Sequence, residues 1–99
     1  MFKICIDAGH YGLHYNQSTT KYKEYYESAQ MWKLHLLLKN EIEKYECEVI
    51  TTRKNTNDLG LYNRGLLAKG CNLFISLHSN ASTSPTTDYV VVFRGIDKQ

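Results

Sequence analysis

Two short apolar runs constrain this chain most. They lie at residues 2–7 and 73–77, and each gives way at once to turn chemistry and a histidine. The first is followed by Ala8-Gly9-His10, the second by His78-Ser79-Asn80. Runs this short, rich in isoleucine and leucine, predict buried strands rather than helices. Between them, residues 24–45 contain no proline or glycine. There Met31, Leu34, Leu38, Ile42 and Tyr45 recur at steps of three and four, with Leu37 widening the stripe. That spacing predicts a helix with one face packed on a sheet. A second strand is predicted at 48–52, where Val49, Ile50 and two threonines are β-branched. A short helix is predicted at 61–69 with Leu61, Leu66, Leu67 and Ala68 as its apolar members, ended by Gly70. A last strand is predicted at 89–94. The order β-α-β-α-β-β predicts an α/β fold with a mainly parallel sheet flanked by helices. The near-continuous apolar runs predict strands covered on both faces.

The 99 residues allow one domain, 1–99. Twelve basic against ten acidic residues leave a net charge of +2, which carries no electrostatic footprint for nucleic acid. No apolar run approaches the roughly 20 residues that membrane insertion needs. Cys5, Cys47 and Cys71 are an odd set with no CxxC pair, so reduced, buried thiols are expected rather than a disulfide framework. The N-terminus shows no signal peptide. Synthesis in a reducing compartment, or cutting from a longer precursor, is the expectation.

In an open parallel sheet, ligands bind beyond the carboxyl ends of the strands. The first strand delivers His10 to that edge, the second Arg53, the third His78, Ser79 and Asn80. The long helix begins there too, with Glu24 and Glu27 in its first turn. Two histidines and a carboxylate make a catalytic zinc set, with a fourth position open to water. Imidazole favours zinc over magnesium. A magnesium nuclease built on Asp7, Glu27 and Asp58 is the weaker alternative, because it leaves both histidines idle. Residues 11–23 form a loop long enough to suggest a functional role. Tyr11, Tyr15, Tyr22, Tyr25 and Tyr26 crowd it and its exit, where a ring could stack on a sugar or pack the helix end. His14 is expected in solvent, and His35 inside the helix, away from the rim.

The segment Ile4-Cys5-Ile6-Asp7-Ala8-Gly9-His10 resembles the opening motif of the zinc-dependent N-acetylmuramoyl-L-alanine amidases, the type 3 amidase family. Val49-Ile50-Thr51-Thr52-Arg53 resembles the family's valine-to-Thr-Arg segment. Leu61 to Ala68, followed by Leu73-Phe74-Ile75-Ser76-Leu77-His78-Ser79-Asn80-Ala81, resembles its leucine-arginine-alanine helix and the strand supplying a second histidine. The resemblance covers residues 2–81, and more loosely runs to 94.

Carried over by position, the resemblance implies zinc ligands His10, Glu27 and His78, with Glu24 the competing carboxylate. Asp7 would orient the His10 loop or stabilise its turn. Arg64 would be structural, and Asn80 would touch substrate or hold the His78 loop. The implied substrate is peptidoglycan, cut between the lactyl group of N-acetylmuramic acid and L-alanine. An endolysin, sporulation hydrolase or autolysin fits, made in a bacterial or phage-infected cytoplasm and acting at the cell wall. Three departures stand out. Tyr11 replaces the glycine usual after the histidine. Glu46-Cys47-Glu48 replaces a glycine-bearing turn. No residue matches the family's second catalytic glutamate; the acids after Ser82 are Asp88 and Asp97. No catalytic general base is therefore assigned. The resemblance implies the N-terminal part of an amidase catalytic domain, completed by a second copy or a further segment. The alternative is a zinc- or wall-binding remnant without turnover.

Overall fold

The computed structural model describes residues 1–15, 17–18, 23–54 and 60–79. In chain order the elements are β1 (Phe2–Ala8), α1 (Glu27–Ile42), β2 (Cys47–Thr51), α2 (Leu61–Ala68) and β3 (Leu73–Leu77). The strand predicted at 89–94 lies outside the described residues. The three strands form one sheet in the order β2-β1-β3. Both pairings are parallel, with Ile4 opposite Val49 on one side and Leu73 on the other. This is the α/β architecture expected from the alternating pattern.

The chain leaves β1 for β2 on one side, then crosses to β3 on the other. Right-handed crossovers in opposite directions put α1 and α2 on opposite faces of the sheet. Burial agrees. Cys5 and Ile6 point to opposite faces by strand alternation, yet both have no exposed surface. The core is centred on β1, where Ile4, Cys5, Ile6 and Ala8 are buried and Met31 of α1 joins them.

The strand expectation of double coverage holds for β1 and fails for β3. Leu73 and Phe74 are 45% and 44% exposed, because β3 is the outer strand of the described sheet. The α1 expectation also needs correction. The helix begins at Glu27, and its buried residues are Glu27, Ser28, Met31 and His35. At about 100° per residue these cluster around Met31, with Leu37 about 120° away. Leu37 is accordingly 64% exposed, Leu34 42% and Tyr45 74%. Leu38 and Ile42, within about 20° of Met31, are half-buried, so the expected face holds along that line and fails where Leu34 and Leu37 widen it. In α2 the buried residue is Arg64, while Leu61, Leu66 and Leu67 are exposed. Of the cysteines only Cys5 is buried; Cys47 and Cys71 are half-buried, and all three are free thiols. Burial pushes the Cys5 thiol up to about 11, with Cys71 and Asp7 adding to the shift. Among the described residues no helix is long and apolar enough to cross a membrane.

Candidate metal centre

β1 and β3 are neighbouring parallel strands, and in such a sheet ligands bind in the crevice beyond the carboxyl ends. His10 follows β1 into it, His78 follows β3, and Glu27 enters from the first turn of α1. One ligand atom from each of the three lies within 4.8 Å of the others. His10 Nε2 is 3.3 Å from Glu27 Oε1. His78 Nδ1 is 3.0 Å from Glu27 Oε2, which also accepts the Ser79 backbone N–H at 3.0 Å. The two imidazoles meet edge to face at 5.3 Å. Glu27 is almost wholly buried, whereas the His10 and His78 side chains are 35% and 50% exposed. The place of Glu27 in the first helical turn suits the helix dipole. Glu24 is exposed ahead of α1 and is not part of this cluster. Asn80 lies outside the described residues, as does Asp58.

The backbone is shaped for this approach. Gly9 donates its N–H to Leu77 O at 2.8 Å, which extends the β1–β3 ladder past the strand ends. A Cβ at Gly9 would stand 2.6 Å from His78 Nδ1 and from Leu77 O, so only glycine fits. His10 then takes a left-handed backbone, φ 63°. Non-glycine residues rarely hold that conformation unless the surroundings fix it.

Two buried arginines do the fixing. Asp7 accepts from Arg64 Nη1 at 2.8 Å, Thr52 Oγ1 at 2.7 Å and Ser76 Oγ at 2.7 Å. Ser76 stands opposite Asp7 in the β1–β3 register. Arg64 continues from Asp7 to the carbonyls of Ala8 and His10. Asp7 thus acts on the His10 loop through Arg64, and Arg64 has the structural role expected of it. From the other side, Arg53 donates to the carbonyls of Gly9 and Gly12 at 3.0 Å each and of Ser28 at 3.3 Å. It joins the His10 loop to the helix that carries Glu27. Its guanidinium lies 5.1 Å from the centre of the Trp32 ring, whose other neighbour is His35 at 4.5 Å. Burial lowers the Arg53 pKa; Arg64 lowers it further and Asp7 acts the other way.

Sequence reasoning put Arg53 on the rim without a task, and overlooked Ser28, Ser76 and the Ser79 N–H. Ser76 did carry a signal, as the one polar residue in an apolar strand. Ser28 clamps the long loop: its hydroxyl accepts from Tyr15 N at 2.9 Å, and its N–H donates to Tyr15 O at 3.2 Å. His14 is exposed, with its ring against Tyr26.

A parallel sheet with a histidine–glutamate–histidine cluster at its carboxyl edge defines the class. The chain belongs to the N-acetylmuramoyl-L-alanine amidase family, whose sequence profile matches residues 4–96. Among solved structures it is similar to the catalytic domain of CwlV, an N-acetylmuramoyl-L-alanine amidase from Bacillus (Paenibacillus) polymyxa var. colistinus. The two are 27% identical with a TM-score of 0.78. The match covers 88% of this chain and 50% of that one, so the chain spans about half the length of that structure. No curated protein sequence matches the chain.

Proposed function

We propose that this chain provides the zinc centre for hydrolysis of the N-acetylmuramoyl-L-alanine amide in peptidoglycan. His10 Nε2, the Glu27 carboxylate and His78 Nδ1 would be the ligands. The observation that carries the reading is their convergence within 4.8 Å on the carboxyl rim. Zinc–ligand bonds of about 2.0–2.2 Å in a tetrahedron separate the ligand atoms by roughly 3.3–3.6 Å. The 3.3 Å between His10 Nε2 and Glu27 Oε1 fits that spacing, while the 3.0 Å between His78 Nδ1 and Glu27 Oε2 is a hydrogen-bond distance that a bound ion would have to lengthen. Two imidazoles with one carboxylate also match the donor preference of zinc.

When bound, zinc supplies Lewis acidity toward the amide carbonyl and acidifies water. The chain's own residues prepare the place. Glu27 brings a buried negative charge that compensates a cation. The Ser79 N–H fixes one of its oxygens, and the absence of a Cβ at Gly9 admits the His78 ring. Arg64 and Arg53 pin the loop on which His10 turns inward. Asp7 is occupied by three donors, which leaves it poorly suited to act as a general base.

The second reading is a zinc- or wall-binding role without turnover, which the same three ligands would equally support. One experiment separates the two readings. The chain is incubated with zinc and purified peptidoglycan, and newly exposed L-alanine amino ends are counted. Release above the no-protein level that disappears in Glu27→Ala is expected of the hydrolase. Background release with zinc still bound would leave the binding role and sink the proposal of turnover.

A further inference from the structure

Beside the candidate centre lies a cleft of about 360 Å³ with Tyr11, Leu61, His10 and His78 in its lining. Its lining surface is mostly apolar. Leu61, at the start of α2, is 88% exposed and contributes one wall. Tyr11 contributes another. Its ring is backed by Tyr15, with centroids 4.2 Å apart and planes tilted by 42°. Tyr11 is half-buried and Tyr15 is 47% exposed.

This ring pair is held in place before any ligand arrives. The carbonyls of Gly9, His10 and Gly12, on either side of Tyr11, all accept hydrogen bonds from Arg53 or Arg64. Tyr15 is clamped at both its N–H and its carbonyl by Ser28. An aromatic surface on a pinned backbone costs little conformational entropy when it binds. The charge in the cleft narrows the ligand further. Its described lining includes Asp7 and Arg64, which are paired with each other at 2.8 Å. A neutral ring with an apolar face suits such walls better than a charged peptide does.

We propose that Tyr11 is a sugar-stacking residue. Its ring, backed by Tyr15, takes the apolar face of the N-acetylmuramic acid unit next to the scissile amide. The inference rests on the amidase reading for the identity of the sugar. Tyr11 stands where the family resemblance leads one to expect glycine.

The test measures binding of two probes. One is N-acetylmuramoyl-L-alanyl-D-isoglutamine; the other is the same dipeptide with an acetyl group in place of the sugar. Tyr11→Ala and Tyr11→Leu are expected to weaken the sugar-bearing probe at least fivefold and the acetyl dipeptide less than twofold. Tyr11→Phe should keep both within twofold, because it keeps the ring. An unchanged thermal midpoint and zinc content identify a variant that is still folded. Equal losses for both probes, no loss for either, or a wild-type chain without preference for the sugar would overturn the proposal. Sugar preference without hydrolysis would instead count against the amidase reading and leave Tyr11 in its role. Hydrolysis without sugar preference would do the reverse.

Discussion

The loop that carries His10 is held from two sides, and the two sides solve the same problem differently. On the α2 side, Arg64 is neutralised by Asp7 at 2.8 Å, and the carboxylate also serves Thr52 and Ser76. On the α1 side, Arg53 is 1% exposed and meets backbone carbonyls and the face of Trp32. Its Nε has no hydrogen-bond partner among the described residues. The first is a closed ionic network, the second a buried cation spread over carbonyl dipoles. The contrast teaches where stability and where positioning should reside. Breaking a buried ion pair strands a charge, whereas removing a lone buried cation also removes its desolvation cost.

The largest effect should therefore come from Asp7→Ala. It leaves Arg64 buried without its counter-charge and strands the buried Thr52 hydroxyl. Urea denaturation should show a loss of about 3–5 kcal/mol. The double variant Asp7→Ala/Arg64→Met should recover part of that loss. An Asp7→Ala chain as stable as the wild type would erase the distinction between the two sides.

A smaller loss is expected for Arg53→Met, about 1–3 kcal/mol, from carbonyls left unsatisfied. Arg53→Lys should not rescue it, because one ammonium cannot reproduce the planar fork that reaches both Gly9 and Gly12. A loss equal to that of Asp7→Ala would mean that Arg53 has an unrecognised counter-charge.

The smallest effect depends on pH and belongs to the α1 side. His35 is buried against Trp32, whose carbonyl contacts Nδ1. Burial lowers its pKa from the ordinary 6.5; the Trp32 carbonyl opposes this, and the charges of Arg53 and Lys39 reinforce it. Below about pH 6.5 the unfolded chain takes up a proton that the folded chain resists. This contribution to stability is complete above pH 6.5 and is lost as pH falls toward the lowered native value. Urea midpoints measured from pH 7.5 down to pH 5 should fall less steeply in His35→Phe than in the wild type. Parallel curves would show that His35 titrates as an exposed histidine.

The same contrast explains what could be read from the sequence. Strand ends are marked where apolar runs stop, so the rim, and with it His10, Glu27 and His78, was placed from strand order and motif. Arg64 was read as structural from the leucine-arginine-alanine helix, and the structure supplies its partner, Asp7. The task of Arg53 left no such mark, since its partners are main-chain carbonyls that any residue could supply. The apolar stripe of α1 marks only part of its buried face, for a related reason. Glu27, Ser28 and His35 are polar residues buried by their partners, while Leu34 and Leu37, which set the apolar stripe, are exposed. Hydropathy measures transfer to oil and does not register a polar side chain that is satisfied in the core.

The central claim is that three residues, distant in sequence, hold one zinc ion. Elemental analysis of the purified chain after zinc loading and desalting tests it most directly. The account predicts one zinc per chain in the wild type and in Glu24→Ala, with zinc lost in His10→Ala, Glu27→Ala and His78→Ala while each remains folded. A full zinc complement in all three of those variants would contradict it.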